Sequence, residues 1–407
     1  MRIRTKILTI LLIVTMLTAS YVAISTIVGV QAMGANKTQL ENVRDYTSGW
    51  AMNGTEAVAI YAIDGGALYV GGPSLWSAVP LPDGVIAGAV AVDPDHPGTL
   101  YVGAANELAL YLSRNGGSSW QRIRLDRQYV GGITDIAINS AQRTLYLATD
   151  TAGIFRMRDV GSSMLLSGHT MIDGPVLQVV ADQQGAGLIF ARTTWTVYRG
   201  MNNGQQWLPL DGLATTPTAL AVANGQPATV YLGTTDHGLL QSTDGFTWQE
   251  IAGPAVRAEA SRLQVDAIAV DPLQPPVLYV AMSYLFGNTT IHQSSLGVAM
   301  TTDRGAHWTT LTEQADLAVT DLIPVAGTTG AVFALTNQSR SPLALGAAPA
   351  IAANSSSSPN YWTTPTQPVG MVSALAWLVA AAAAVALCWL LLQEQQQPIL
   401  ATIARYR

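Results

Sequence analysis

The sequence is poor in charge and in cysteine. Only 11 % of its 407 residues are Asp, Glu, Lys or Arg, and the mean hydropathy of +0.27 is high for a soluble protein. Membrane-spanning segments are therefore expected. Cys388 is the single cysteine, which excludes a disulfide within the chain, and no cluster of Cys and His has the spacing of metal ligands. We predict neither a metal nor another cofactor.

The sequence also lacks any basic run, and its net charge is −6. Binding to nucleic acid is not expected, because that function depends on clustered Lys and Arg side chains. A large extracytoplasmic domain without disulfides is more typical of bacteria than of an animal secretory pathway. These absences favour a bacterial protein.

An uncharged run near the N-terminus, residues 7–30, follows Arg2, Arg4 and Lys6. An apolar core of about 18 residues or more can span a bilayer, whereas the cores of signal peptides are about 7–15 residues long. We favour an uncleaved anchor followed by a linker at 31–44. The triplet Val-Gln-Ala at 30–32 resembles a cleavage site, so a signal peptide stays open as the alternative.

A second uncharged run, residues 369–392, is also long enough to span a membrane. The tail that follows it, 393–407, carries Arg405 and Arg407. Positive charge thus flanks both runs on the terminal sides, and the positive-inside rule places residues 1–6 and 393–407 in the cytoplasm. We predict a protein of the plasma membrane, with the lipid bilayer as one partner and the middle of the chain outside the cytoplasm.

A short motif recurs in that middle part. Residues 301–308 read Thr-Thr-Asp-Arg-Gly-Ala-His-Trp, and imperfect copies lie at 113–120, 157–164, 200–207 and 242–248. Asp or Asn accepts backbone amides in a turn, Gly takes a positive φ, and Trp offers an apolar face. We therefore interpret these octets as structural turns. Their key residues are Ser113, Asn115, Gly117, Trp120, Asp159, Gly161, Asn202, Gly204, Trp207, Asp244, Gly245, Trp248, Thr301, Asp303, Gly305 and Trp308.

A second recurring phrase sets the length of the repeat. Val-Asp-Pro at 92–94 and at 270–272 is followed by Leu-Tyr-Val at 100–102 and at 278–280, and weaker copies lie between them. Each copy predicts two short strands, and the octet joins a third strand to a fourth. Four short strands in about 40–50 residues is typical of a propeller blade. We divide 45–367 into seven units: 45–88, 89–134, 135–176, 177–218, 219–265, 266–318 and 319–367.

The fold class expected is therefore an all-β, seven-bladed propeller with a transmembrane helix at each end. Octets at 69–76 and 355–362 have decayed, so the first and last units are the least regular. In an alternative interpretation, residues 337–370 are a flexible stalk rich in Ser, Pro and Ala, which leaves six blades.

The octets resemble the Asp-box (BNR) repeats of the sialidase-like propeller superfamily, and the resemblance covers 45–367. That superfamily includes sialidases and other glycoside hydrolases, sortilin-type receptors, xyloglucan-degrading enzymes and propellers that assist photosystem II assembly. The resemblance implies that the octets are structural and lie on the face away from the usual ligand site. It does not imply one function.

The resemblance transfers no catalytic residue. Sialidases carry an Arg-Ile-Pro motif in the first blade, and residues 45–88 contain no arginine at all. The arginines at 122, 124 and 127 fit a solvated strand face better than a substrate site. A glycosidase would still need two facing carboxylates, and Asp173, Asp211, Asp236 and Glu259 are loop residues that could supply them.

Function is expected on the rim opposite the octets, because loops on a rigid scaffold carry function. A long insertion at 283–295 is expected there as a loop with exposed aromatic side chains, which contact either a partner or a neighbouring blade. The spacing of His169, His237 and His292 gives no support to a shared metal. The candidate rim residues are Arg127, Tyr129, Asp150, His169, Asp173, Trp195, Asp236, His237, Arg257, Tyr284 and Phe286.

We therefore predict a membrane-anchored extracytoplasmic propeller that acts as a non-enzymatic binding or scaffold protein, either a receptor or an assembly factor or subunit of a membrane complex. Its partner would be a membrane protein or a glycan. The alternatives are a glycan-active hydrolase and a surface domain for adhesion or display.

Overall fold

The computed structural model describes residues 37, 40–41, 43–49, 59–72, 75–161, 163–185, 187–213, 215–225, 227–251, 253, 261–287, 289–312, 318–325, 327–336 and 343–346. Within these residues, no helix is long and apolar enough to cross a bilayer. Both predicted spans, 7–30 and 369–392, lie outside the described residues.

The described chain forms seven antiparallel sheets within one compact unit, Asn36–Ser357. The first four sheets are the blades β1 (Val43–Gly49), β2 (Ala59–Asp64), β3 (Ala67–Gly72), β4 (Leu75–Val79); β5 (Ala87–Val92), β6 (Leu100–Ala104), β7 (Ala109–Ser113), β8 (Gln121–Arg124); β9 (Ile133–Asn139), β10 (Thr144–Thr149), β11 (Ile154–Asp159), β12 (Met164–Thr170); and β13 (Gln178–Ala181), β14 (Ile189–Arg192), β15 (Val197–Met201), β16 (Gln206–Pro209).

The remaining three blades are β17 (Pro217–Ala223), β18 (Thr229–Thr234), β19 (Leu239–Ser242), β20 (Gln249–Ile251); β21 (Arg262–Val270), β22 (Leu278–Phe286), β23 (His292–Thr301), β24 (Thr309–Thr312); and β25 (Val319–Pro324), β26 (Ala331–Thr336), β27 (Leu343–Gly346). Strands follow one another in chain order within every blade. From the first blade to the seventh, the first strand of each blade contacts the first strand of the blade that follows it in the chain, so these strands line the central channel.

Seven separate hydrophobic clusters fill the seven contacts between neighbouring blades. One of them joins the first blade to the last, where Tyr46 and Ile60 pack with Ile323 and Phe333. The ring is therefore closed. The prediction of an all-β propeller with seven blades is confirmed, and the alternative with six blades is wrong, because β27 lies inside the stretch that it treats as a stalk.

The N-terminal part of the described chain helps to close the ring. Leu40 is fully buried in the cluster between the first and last blades, and the backbone of Lys37 pairs with that of Trp76. The Lys37 ammonium lies 2.7 Å from the buried carboxylate of Asp64. β1 begins at Val43, inside the stretch 31–44 that the sequence assigns to a linker.

The octets form tight turns between third and fourth strands. In three of them the first hydroxyl accepts the amide of the glycine, with N–O distances of 2.8 Å at Ser113, 2.8 Å at Ser242 and 2.9 Å at Thr301. The carboxylates of Asp244 and Asp303 accept amides further along the turn, at 2.7 and 2.8 Å. These carboxylates satisfy the backbone of their own turns.

The octets also contact the preceding blade. The Trp120 indole N–H donates to a carbonyl of the first blade, Pro80, at 2.7 Å, and Trp207 makes an edge contact with Tyr146 at 6.3 Å. Gly245 has φ of +74°, and a Cβ there would lie 2.6 Å from the ring of Phe190. Glycine is thus needed both for the turn and for the close approach of two blades.

Asp159 is the buried member of the set. Its carboxylate accepts hydrogen bonds from two side chains of the preceding blade, Tyr101 Oη at 3.1 Å and Arg114 Nη2 at 2.8 Å. It also accepts a hydrogen bond from the amide of Gly161 at 2.7 Å. Burial opposes ionisation of Asp159, but Arg114 and these hydrogen bonds outweigh it, and the pKa is lowered. This octet therefore fixes one blade to the next through a charged hydrogen-bond network.

Candidate binding rim and channel mouth

The upper face is defined here as the end of the ring at which the first strands begin. Because adjacent strands are antiparallel, the loops from second to third strands and from one blade to the next lie at this end, and the octets lie at the lower end. The predicted rim residues with described positions are Arg127 and Tyr129 in 125–132, Asp150 in 150–153, His169 at the end of β12, Asp173 in 171–177, Trp195 in 193–196, Asp236 and His237 in 235–238, and Tyr284 and Phe286 in β22. Arg257 and Glu259 lie outside the described residues.

Aromatic packing positions one part of the rim. The His169 ring stacks on Phe155 at 4.2 Å and lies 5.2 Å from Tyr129. Its Nε2 lies 2.7 Å from the carbonyl of Ala152, so that nitrogen donates a proton. His169 therefore packs against both Phe155 and Tyr129, a role that the sequence did not predict.

Exposed apolar side chains lie on the upper loops 125–132, 171–177 and 193–196. Val130 is 83 % exposed and Trp195 is 76 % exposed, and Tyr129, Met171 and Leu177 are also open to solvent. Isolated exposed apolar residues are ordinary, but several on adjoining loops indicate an interaction surface.

Hydrogen bonds between the loops hold this part of the rim in place. The Asp150 carboxylate accepts the amide of Gly132 at 2.8 Å, and backbone bonds link each loop to its neighbour. These amide-to-carbonyl bonds run from Asp150 to Gly132, Val176 to Thr149, Leu177 to Arg192, Leu210 to Val197 and Thr235 to Thr216. The side chains of the rim are thus presented on a connected framework.

The stretch 283–295 differs from the expected long loop. β22 and β23 continue through it as paired strands from Ser283 with Ser295 to Phe286 with His292. The polar side chains remain compatible with pairing because Asp266 accepts Gln293 Nε2 at 3.0 Å and also binds the Ser283 hydroxyl. Tyr284 and Phe286 therefore lie on an extended hairpin, and the Phe286 and His292 rings stack with their centroids 5.5 Å apart.

The mouth of the channel contains charged residues that sequence reasoning missed. Asp45, Asp135 and Asp321 each occupy the third position of a first strand, and Arg192 ends β14 at the same level. Asp45 accepts the amide of Val90 at 2.8 Å, and Asp135 accepts the corresponding amide of the next blade. These carboxyls link neighbouring first strands at the channel wall.

Burial dominates the protonation of this group. Burial raises the pKa of Asp135 to about 6 and that of Asp321 to about 7. The nearby carboxyl of Asp135 further raises the pKa of Asp321. Burial is also the main cause that raises the pKa of Asp45 well above its usual range, and the charge of Asp135 is the second cause. Burial lowers the pKa of Arg192, although the negative charges of Asp135 and Asp321 act in the opposite direction.

A sequence signal for these carboxyls does exist. Val-Thr-Asp-Leu at 319–322 and Ile-Thr-Asp-Ile at 133–136 place one charge inside an otherwise apolar strand. Below them the channel wall includes the apolar residues Ile136, Val179 and Val222 together with the polar residues Thr47 and Gln183. Within the described part of the chain, no group of three or more His, Cys, Asp or Glu side chains is placed to hold a metal ion.

Comparisons with known structures show the propeller fold. YCF48 bound to D1 peptide superposes with a TM-score of 0.55 at 13 % identity, covering 77 % of this chain and 96 % of that one. The GH74 xyloglucanase of Xanthomonas campestris gives 0.54 at 19 % identity over 74 % of this chain, which spans only 52 % of the xyloglucanase. A chain of the mitotic checkpoint complex gives 0.51 at 9 % identity, covering 78 % and 89 %. No protein-family model and no curated protein matches the sequence.

Proposed function

We propose that this protein is a membrane-anchored propeller of the extracytoplasmic side of a bacterial plasma membrane, which binds a partner protein on its upper rim without catalysis. The observation that carries the proposal is the group of exposed apolar side chains on adjoining upper loops, with Trp195 and Val130 the most exposed. Aromatic anchors of this kind dominate the energetics of protein interfaces. The role would be that of a receptor, or of an assembly factor or subunit of a membrane complex.

Two further lines support this proposal. YCF48, a propeller of similar fold, is bound to a D1 peptide, so peptide binding is compatible with the architecture. The octets share the hydroxyl-to-glycine bond in three copies, which supports their assignment as Asp-box repeats and leaves the upper rim as the place for function.

The test is co-purification of the full-length chain after mild solubilisation. We expect a specific membrane protein to accompany the wild-type chain, and Trp195→Ser to weaken that association about 30-fold or more, the effect of losing an interface anchor of about 2 kcal/mol. Phe246→Ser is the matched control, because Phe246 is an exposed aromatic residue on the lower face. Isolation of the wild-type chain as a lone monomer would contradict the proposal.

The predicted location has its own test. Positive charge outside both uncharged runs supports cytoplasmic termini, so a fluorescent protein fused to either terminus should fold and fluoresce in the cytoplasm. Protease added to spheroplasts should cleave within the propeller but leave the two fused reporters intact. Cleavage of either reporter by that protease would contradict this topology.

Glycan hydrolysis is a second candidate, favoured by one observation. Asp321, with a pKa of about 7, could hold a proton near neutral pH as a general acid requires, and Asp135 and Asp45 are neighbouring carboxyls. Against this candidate, Asp135 and Asp45 already accept amides of adjoining blades. Turnover of a xyloglucan and sialoside panel that is lost in Asp321→Asn would support hydrolysis, and no turnover by the wild-type chain would remove it.

A further inference from the structure

One series of upper loops, between residues 150 and 238, carries negative charge in its described residues. We define the acidic rim as the described residues of 150–153, 171–177, 193–196, 210–213, 215–216 and 235–238. It contains Asp150, Asp173, Asp211 and Asp236 and no Lys or Arg, and His237 is its one basic side chain. Arg127, in the loop between the second and third blades, lies beyond one end of the acidic rim, and Arg257, after the fifth blade, lies outside the described residues.

The acidic rim combines this charge with apolar surface. Trp195 lies on the loop of the fourth blade, and the loops that enter and leave that blade carry Asp173 and Asp211, both exposed. Backbone bonds from Leu177 to Arg192 and from Leu210 to Val197 join the entering and leaving loops to the strands that bracket Trp195. The loop with the exposed indole is thus joined through its flanking strands to two loops that each carry an exposed carboxylate.

The turn under Trp195 is ordered by its own residues. Thr193 Oγ1 accepts the amides of Trp195 at 3.3 Å and Thr196 at 3.1 Å. At the end of the acidic rim, the Thr215 hydroxyl donates to the Asp236 carboxylate. Little ordering of the loops is therefore needed when a partner binds, and preorganisation of this kind favours affinity.

We propose that the acidic rim binds a basic, apolar peptide segment of the partner protein. This inference rests on the proposed function and specifies the chemistry of the partner. Positive side chains of the segment would face Asp173 and Asp211, and an apolar side chain would cover Trp195, because interfaces bring opposite potentials together. An anionic bilayer and a nucleic acid both carry negative charge and are repelled by the same carboxylates.

The experiment uses the full-length chain in phosphatidylcholine nanodiscs and two labelled synthetic peptides. Both have leucines at the same positions, and the remaining positions are lysine in one peptide and glutamate in the other. Fluorescence anisotropy should show at least about tenfold tighter binding of the lysine peptide. That preference should shrink as salt rises from about 0.05 M to about 0.5 M, because exposed charges are screened.

The double variant Asp173→Asn, Asp211→Asn should bind the lysine peptide about fivefold more weakly, since each exposed charge pair contributes a few tenths to one kcal/mol. Asp95→Asn, an exposed carboxylate on the lower face, should leave binding unchanged. Equal affinity for both peptides, or no effect of the double variant, would overturn the inference.

Binding of phosphatidylglycerol-containing vesicles that Trp195→Ser abolishes would also overturn it, in favour of a lipid surface. If the partner protein co-purifies through Trp195 but the lysine peptide shows no preference, the proposed function stands and this inference fails. If no partner co-purifies and neither peptide binds, both fail.

Discussion

The carboxyl of Asp321 leads to a stability prediction with a defined sign. Burial raises its pKa from 3.8 to about 7. The folded protein keeps this proton at pH values where the unfolded chain has lost it, so the contribution to stability is fully present below about pH 4 and is lost as the pH rises through about 7. At about 1.4 kcal/mol per pKa unit, the loss approaches about 4 kcal/mol.

Asp321→Asn removes this titration and keeps a side-chain oxygen for the amide of Leu322, which now donates at 2.8 Å. Arg192 loses an acidic neighbour in the variant, so we expect about half of the full effect, about 2 kcal/mol of added stability at about pH 8. For a domain of this size, that corresponds to a rise in Tm of about 4 °C.

The measurement is the thermal melting of the full-length protein in detergent, followed by tryptophan fluorescence at about pH 4 and about pH 8. The variant should melt higher than wild type at the upper pH and at the same temperature at the lower pH. Asp95→Asn should change neither. A variant that melts lower than wild type at about pH 8, or gains equally at both pH values, would refute the assignment of a half-buried carboxyl with a raised pKa.

Two further predictions concern contacts between blades. Gly245→Ala should lower the free energy of unfolding by about 2–4 kcal/mol, because the new Cβ meets the preceding blade at a residue with positive φ. The control Gly174→Ala also has a positive φ but faces open space, and it should cost only about 1 kcal/mol. Equal losses for the two variants in urea unfolding would show that packing is not the cause. Asp159→Ala should lower the free energy of unfolding by about 2–3 kcal/mol. This cost is smaller than that of breaking a fully buried ion pair, because Arg114 is partly exposed. The same substitution should cost less in a Tyr101→Phe background if Asp159 and Tyr101 act together. An unchanged cost in that double-mutant cycle would contradict the network.

The blades could be predicted from sequence because their signals are local. Asp, Gly and Trp in each octet specify a turn within eight residues, and the spacing from Asp64 to Trp76 equals that from Asp236 to Trp248, so a first blade could be found without a complete octet. The structure places Asp64 at the end of β2 and Trp76 in β4, as this spacing requires.

The channel mouth could not be predicted in the same way because it depends on ring closure. Asp45 and Asp321 are far apart in the chain, and their carboxyls come near enough to interact electrostatically only when the first and last blades join. The extended hairpin at 283–295 could not be predicted for a different reason. Part of its stabilisation comes from outside the segment, because Asp266 on β21 accepts hydrogen bonds from Ser283 and Gln293.

Ring closure also sets an order of events in time. Contacts between successive blades join residues such as Arg114 and Asp159, 45 positions apart, whereas Tyr46 and Phe333 are separated by 287. Loop-closure entropy makes the second kind of contact about 1.6 kcal/mol more costly to initiate, so neighbouring blades should dock first and the ring should close last. Until residues 319–336 have been synthesised, the apolar side of the first blade that packs against the last blade has no cover. That interval is when the nascent chain is most open to proteases and to aggregation.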